Sequence, residues 1–505
     1  MEFEKRLDEI LKQVEKPGRY IGGEVNSVKK EAEERLAFAF PDLYEIGMSY
    51  LGMQILYNAV NETDDLSCER VFSPAPDMEK LMRDEDLPLF TLENKTPLKD
   101  MEMIGFTLQY EMSYATILNM LELAKIPLYS DQRDDSFPII AAGGPCAFNP
   151  EPLHLFIDAF LIGDGEDSIV EVTDVLNACK KEGVPRAERL KRLASLRGVY
   201  VPGFYHDEYN ADGTLKSLEP TDPCAPPRVL RSILTDFENA YAPTRPPVPY
   251  IQPVFDRIML EIMRGCTRGC RFCQAGMLYR PVRERSVDKL VELAKESVKN
   301  TGYEEISLSS LSSSDYSCIS ELAGRLTDEL RDQRVSLSLP SLRVDKFVQD
   351  TLTHTQKVKK SSLTFAPEAG TQRLRDVINK NVTEADLVNT LTNAFSNGWN
   401  AVKLYFMTGL PTETDEDLIG IAELAKTAAG AYYSVPKEKR VKGLRITCSA
   451  AVFVPKPFTP FQWCRQDDPE TVRRKQRLVR EHFAPLKSAH FNYHDSGVSQ
   501  IEACF

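Results

Sequence analysis

One pattern constrains this chain more than any other, and it occurs twice. Short apolar runs of strand character alternate with helix-length amphipathic runs, and a proline-rich stretch divides the two series. In the first series LAFAF from Leu36, RVFS, MIGFTL, PIIAAGG and AFLIGDGE alternate with helical segments from Met48 to about Ala59, from about Thr116 to Ala124, and up to about Cys179. Strands separated by helices cross over and pair in parallel, so a doubly wound parallel sheet is predicted. The second series runs IMLEIM from Ile258, EISLSS, VSLSLP, SLTFAP, AVKLYFM and RITCSAAVFVP. Its helices fall at Ser286–Asn300, Cys318–Leu330, Val344–Leu352, Gly370–Ile378, Thr383–Phe395 and Glu416–Ala429. Thr383 with Asp386 and Thr414 with Asp417 read as capping boxes. Such a series predicts a partial (β/α)6 TIM-type barrel with its chemistry at the C-terminal ends of the strands.

The chain therefore divides into five parts. An N-terminal amphipathic helix (1–30), with Phe3, Leu7, Ile10, Leu11 and Val14 at helical spacing, precedes a Rossmann-like sheet (31–184). A connector (185–255) carries a helix, a hairpin turning at Asp212-Gly213 and the stretch PTRPPVPYIQP. The barrel occupies 256–470, and a C-terminal helix and extension occupies 471–505. The final stretch, FNYHDSGVSQIEACF, reads as an apolar end without a closing helix, as in a shortened protein, with His490 and His494 near the barrel mouth.

Hydrophobic residues make up 42% and charged residues 27%, an ordinary globular balance. No apolar run reaches the length of a membrane span, and the opening residues are too charged for a secretory signal. A cytoplasmic protein with no membrane partner is expected. A net charge of -13 excludes a surface that is basic all over. Four local basic runs remain: Arg280–Ser286, Lys357–Lys360, Lys437–Arg445 and Arg473–Arg480. Each reads first as a solvated face.

Eleven cysteines in a long chain of this kind do not suggest a disulfide framework. Cys68, Cys146, Cys179, Cys224, Cys318, Cys448, Cys464 and Cys504 are scattered and read as structural. Cys266, Cys270 and Cys273 are different. They lie in EIMRGCTRGCRFCQAG, directly after a strand, spaced C-x3-C-x2-C, with Gly265 and Gly269 giving the backbone freedom a tight loop needs. Three thiolates leave one metal position open. A closed zinc site needs a fourth ligand, and no histidine lies nearby on the C-terminal side.

With Phe272 just before its third cysteine, this loop resembles that of the radical S-adenosylmethionine (SAM) superfamily, and the resemblance covers the second half of the chain. It implies a 4Fe-4S cluster on Cys266, Cys270 and Cys273 whose open iron takes the amino and carboxylate groups of SAM. The sulfonium is then cleaved reductively to a 5'-deoxyadenosyl radical, with an electron from a reductant such as flavodoxin or ferredoxin. On the same resemblance Ser309 and Ser310, in ISLSSLSSSDY, are SAM contacts. Glu368, in LTFAPEAGTQRLRDVINKNVT, meets the cofactor as in the elongator-like and methylthiotransferase-like branches. Arg343 and Arg373 neutralise its carboxylate, with surface ion pairs as the alternative reading. VKLYFMTGLPTETDEDL resembles the fifth-strand G-x-P-x-E-T element and puts Lys403 and Met407 on the barrel lining.

The first sheet resembles cobalamin-binding domains, which carry D-x-H-x-x-G after their first strand. Here Asp42, Tyr44 and Gly47 hold that place, with tyrosine where the axial histidine belongs. Gly143, Gly144, Gly163 and Gly165 lie where glycine turns would admit the nucleotide tail, although glycines at strand ends are normal in any such sheet. A bound cobalamin without its histidine and a domain that only positions substrate both stay open. The function implied is a radical SAM enzyme that modifies an unknown substrate by methylation, methylthiolation or rearrangement, with RNA or protein favoured. The alternatives are a cobalamin-dependent small-molecule methyltransferase or cyclase, and a redox or cobalamin sensor without catalysis.

Overall fold

The computed structural model describes residues 2–338 and 363–505. The chain forms two units, Met1–Asp256 with Lys299–Thr301, and Arg257–Val298 with Gly302–Phe505.

The first unit is built on a six-stranded sheet: β1 (Glu34–Phe40), β2 (Leu66–Phe72), β3 (Met103–Thr107), β4 (Ile139–Gly143), β5 (Ala159–Leu161) and β6 (Val199–Tyr200), in the order β2-β1-β3-β4-β5-β6. The first five strands are parallel, and β6 pairs antiparallel with β5. Every residue of β2 and β3 is buried, because helices cover both faces of a doubly wound sheet. One core holds Ala37, Ala39, Ile104 and Phe106, and the other holds Leu36, Phe38, Phe40 and Met103. The chain direction reverses between β1 and β3, the point at which sheets of this order leave a crevice. The hairpin expected at Asp212-Gly213 is β7 (Tyr205–Tyr209) with β8 (Leu215–Pro220).

The second unit opens with β9 (Ile258–Glu261). A two-stranded ribbon of β10 (Met263–Arg264) and β11 (Arg283–Glu284) follows, then β12 (Glu305–Ser309) and β13 (Ser336–Ser338). The order β13-β12-β9 makes one parallel sheet. A second comprises β14 (Leu363–Glu368), β15 (Ala401–Thr408), β16 (Arg445–Val452) and β17 (Ala489–Tyr493), parallel throughout. Both expected capping boxes form, at Thr383 with Asp386 and at Thr414 with Asp417. Expected helix Val344–Leu352 lies outside the described residues.

The C-terminal stretch differs from expectation. It contributes β17 and a helix, Ser496–Ala503, whose N-terminus Asp495 caps by accepting from the Gly497 and Val498 amides. A short edge strand bearing His490 and Asn492 on one side carries too little apolar alternation to be read from sequence. Among the described residues no helix is long and apolar enough to cross a membrane.

Burial in β14, β15 and β16 alternates residue by residue. Val402, Leu404 and Phe406 join Ile446, Cys448 and Ala450 in a core shared with the flanking helices. The opposite face is open and polar. Register aligns Thr364, Lys403, Thr447 and His490 in one row, and Tyr405, Ser449 and Asn492 in the next. None of these side chains has a hydrogen-bond or ion-pair partner among the described residues. A packed TIM barrel fills that face with branched aliphatics, so this one is shaped to surround something else.

Candidate functional site

The cysteine loop leaves β10 at Gly265, whose φ of +90° suits glycine and where a Cβ would meet the Tyr279 and Pro281 carbonyls within 2.8 Å. Gly269 also takes a positive φ, +71°. Amide bonds hold the loop's shape. The Asn379 side-chain amide donates to Gly269 O (2.9 Å), the Arg271 N–H to Ile378 O (3.0 Å) and the Cys273 N–H to Cys270 O (3.2 Å). Arg268 clamps the far side through a two-pronged bond to Asp315, which also accepts from Ser312. Phe272 packs against a small core of Leu374, Ile378, Leu410 and Phe453.

Cys270 is buried, and Cys266 and Cys273 are half-buried. Burial pushes the Cys273 thiol up, against the pull of the Gly276 N–H at 3.3 Å from its sulfur. Cys266, Lys380 and Glu368 all act electrostatically on Cys273, so the structure gathers the loop, the end of β14 and the turn after helix Gln372–Val377. Among the described residues no three His, Cys, Asp or Glu side chains surround a single ion-sized point.

Glu368 ends β14 after a break in register and stands at φ +68°, a conformation uncommon for any residue but glycine. Its carboxylate takes a bond from Lys380 Nζ at 3.0 Å, with both side chains about 85% buried (15% and 13% exposed). A second pair precedes the loop in sequence: Arg264 grips Glu261 at the end of β9 through two bonds of 2.9 Å. Lys380 lies within the stretch that flagged Glu368, but nothing in the sequence marked it as that carboxylate's partner.

The other expected contacts fall unevenly. Ser309 ends β12 beside Glu261, and the Ser310 hydroxyl meets that of Ser313 at 2.9 Å. Met407 packs on the Phe453 core, close to Phe272. Lys403 lies further back along β15, in the polar row. Arg373 is committed elsewhere, to Asp417 and to Thr412 O (2.8 Å), so it fits the ion-pair reading rather than a cofactor-carboxylate contact. Arg343 lies outside the described residues. The turn after β15 is braced from below: Glu413 accepts from the Gly409 N–H (2.8 Å) and pairs with Lys475 (2.8 Å), which also reaches Asp467 (2.7 Å).

In the first unit Tyr44 is enclosed. Its hydroxyl donates to Glu24 at 2.9 Å and its ring meets Phe72 edge-on. Glu24 belongs to a buried network in which Arg70 bonds both Glu24 (2.7 Å) and Glu93 (2.6 Å). A Cβ at Gly47 would strike the Phe72 ring at 2.2 Å, and one at Gly163, at φ +120°, would strike Ser232 O at 2.1 Å. Asp164, between Gly163 and Gly165, takes the Leu234 N–H at 2.9 Å. Gly144, at φ +109°, packs against Leu108 and Gln109, while Gly143 has ordinary clearance from Leu161. Asp42 is exposed and accepts from the adjacent Leu43 N–H.

Residues 52–202 match the family model described as radical SAM proteins, N-terminal, and residues 260–425 match that of the radical SAM superfamily. An uncharacterised protein of Methanocaldococcus jannaschii is 30% identical over 430 residues, covering 85% of this chain and 79% of its own. The chain belongs to the radical SAM superfamily. Two solved structures share the fold of this radical SAM protein. The radical SAM methyltransferase TsrM from Kitasatospora setae, with cobalamin and a 4Fe-4S cluster bound, superposes with a TM-score of 0.55 at 11% identity, over 85% of this chain and 77% of that one. The cobalamin-dependent SAM radical enzyme OxsB, with aqua-cobalamin and SAM bound, gives 0.54 at 13% identity, over 88% and 61%.

The donor set fits a radical SAM cluster: three thiols on one protein-held loop, with the Glu368–Lys380 pair acting on Cys273. Tyr44 does not fit an axial cobalamin ligand. Its hydroxyl is bonded to Glu24, and burial together with that carboxylate pushes its pKa well above the ordinary phenol value. Gly47 and Gly163 serve the packing of the radical SAM chain itself.

Proposed function

We propose that Cys266, Cys270 and Cys273 hold the cluster, that the Glu368–Lys380 pair with Ser309 holds the amino-acid end of SAM, and that the substrate lies over the polar rows of β14 to β17. The gathering of Glu368 and Lys380 beside Cys273 carries this reading, since SAM presents one ammonium and one carboxylate there. When bound, the cluster and SAM would supply one-electron radical chemistry. The chain's own residues do the rest. Glu368 accepts from the ammonium, Lys380 donates to the carboxylate, and Phe272, Met407 and Phe453 keep water from the reacting end. Lys403, Tyr405, Thr447, Ser449, His490 and Asn492 offer hydrogen bonds that orient a polar substrate for loss of a hydrogen atom. Modification of an RNA or protein residue remains the favoured substrate class within this reading.

Anaerobic reconstitution with iron and sulfide, then assay for 5'-deoxyadenosine, tests it. The wild-type chain releases the product and Cys270→Ala releases none; equal release from both would refute the assignment.

A second reading follows from the fold likeness to TsrM and OxsB, whose structures hold cobalamin: the first unit would hold cobalamin, which would supply methyl-transfer chemistry. An ultraviolet-visible spectrum of protein produced with cobalamin separates the two, because retained cobalt bands support the second reading and their absence removes it.

A further inference from the structure

One basic run has a setting that a solvated face does not explain. Lys437–Arg445 leads into β16 and holds Lys437, Lys439, Arg440, Lys442 and Arg445 against one carboxylate, Glu438. The stretch before β15, 396–400, and the turn before β17, 484–488, add Lys487 and no carboxylate. Among the described residues none of these cations is in an ion pair, and all are exposed except half-buried Arg440. Ordinary surfaces intersperse the two signs, as helix Pro469–Phe483 does, where the exposed Arg473 and Arg477 stand a turn from Glu470 and Glu481. In a chain of net charge -13, this edge of the second unit is set apart.

The edge is held in shape. The Tyr432 hydroxyl donates to Val441 O at 2.6 Å, and the Asn400 side-chain amide donates to Lys442 O at 2.9 Å and Gly443 O at 3.2 Å. The Arg445 N–H donates to Asn400 O at 2.8 Å, and the Ile446 N–H to Ser488 O at 2.8 Å, which brings Lys487 alongside. The Arg440 guanidinium lies over Tyr432 and Tyr433, 5.4 Å from each ring centroid, and Tyr433 is 63% exposed. Arg445 pairs with Ala401, so Lys403 and His490 follow one row further along the open face.

We propose that this edge docks RNA, with Lys437, Lys439, Lys442, Arg445 and Lys487 on phosphates and Tyr433, backed by Arg440, stacked on an unpaired base. The inference narrows the substrate class of the reading above, and it rests on that reading only for the use made of the bound RNA. Cations without counter-charges favour phosphates, because counterions are released as they bind. An acidic protein would meet the charges but give the exposed ring no part, whereas basic grooves with aromatic platforms hold unpaired bases. Duplex DNA keeps its bases stacked inside, and RNA splays them out in loops and bulges. Ala401 and Met407, at the two ends of β15, are about 20 Å apart at about 3.3 Å per residue. A ligand held at the edge and reacting beside Met407 must therefore be a polymer.

Fluorescence anisotropy of a labelled RNA hairpin with an unpaired loop, titrated with the full reconstituted chain without SAM, tests the proposal. Lys439→Ala with Lys442→Ala weakens binding about tenfold at low salt and lowers the slope of log affinity against log salt by about one to two. Tyr433→Ala weakens binding about tenfold with the slope unchanged. Arg473→Ala with Arg477→Ala removes the same charge from the acid-flanked helix and leaves affinity within about twofold. Equal weakening by the two double variants overturns the proposal, as does failure of the wild-type chain to bind the hairpin at low salt. Duplex DNA of the same length bound as tightly overturns the choice of RNA, and polyglutamate bound more tightly overturns it in favour of an acidic protein. Tight, Lys442-dependent binding by a chain that releases no 5'-deoxyadenosine would instead sink the catalytic reading and leave the docking edge standing.

Discussion

The two units use the same alternation of strand and helix to opposite ends. In the first, β1, β2 and β3 are closed on both faces, and strong polar features such as Arg70 between Glu24 and Glu93, and Asp158 between Arg133 and Arg186, are sealed inside. In the second, β14 to β17 are apolar only where helices cover them, and the other face carries unpartnered polar side chains. Topology is thus shared, and the filling of the space beside the sheet decides which unit can enclose a ligand. The first unit keeps the outline of a cofactor-binding sheet while using Tyr44, Gly47 and Gly163 for its own packing.

Breaking this contrast should cost most where the sheet is closed. Ala39→Lys, towards the C-terminal end of β1, places an ammonium in the core that holds Ile104, Phe106 and Ala142 and should abolish cooperative folding of the first unit. Ala451→Lys, on the open face of β16, should cost less than about 1 kcal/mol in urea titration. Arg70→Ala comes next. It strands two buried carboxylates and should destabilise the first unit by about 3–5 kcal/mol; a loss under about 1 kcal/mol would show that the network is dispensable.

A pH effect sharpens the same comparison. Burial, and then the nearby Glu102, push the Glu34 carboxyl up to about 8, and one of its oxygens has no hydrogen-bond partner. The folded state therefore keeps a proton that the unfolded state loses above its ordinary 4.5. Stability is undiminished below that value, falls as pH rises towards 8, and levels off above it. Glu34→Gln should match wild type in stability below pH 4.5 and exceed it at pH 8 by about 4 kcal/mol in urea titration, the worth of a rise from 4.5 to about 8. Identical profiles would refute the assignment. Smallest in stability is Lys403→Met, expected within about 0.5 kcal/mol because the ammonium has no partner to lose. Any effect of that substitution should fall on substrate-stimulated turnover and leave basal SAM cleavage unchanged.

Much of this was legible because it is local. Both alternations, both capping boxes and the strand-then-cysteine order depend on residues a few positions apart. What escaped depends on distant ones. Tyr44 falls in the axial-histidine place by spacing, but its enclosure depends on Glu24 and Arg70, which come from two other segments. Thr414 and Asp417 could be read as a cap, yet not as the site that also captures Arg373 across a turn. Lys380 meets Glu368 only because helix Gln372–Val377 folds the chain back on itself. Such pairings belong to tertiary structure, and no periodicity announces them.

The bonds from Asn379 and Ile378 to the cysteine loop have a consequence for upkeep. Iron-sulfur centres are destroyed by oxygen, and a loop shaped only by its metal would collapse with it. Here amide bonds hold the turn and Phe272 anchors it, so under the proposed assignment a damaged centre would be a replaceable part, and fresh iron and sulfide would meet a socket that is already cut to shape.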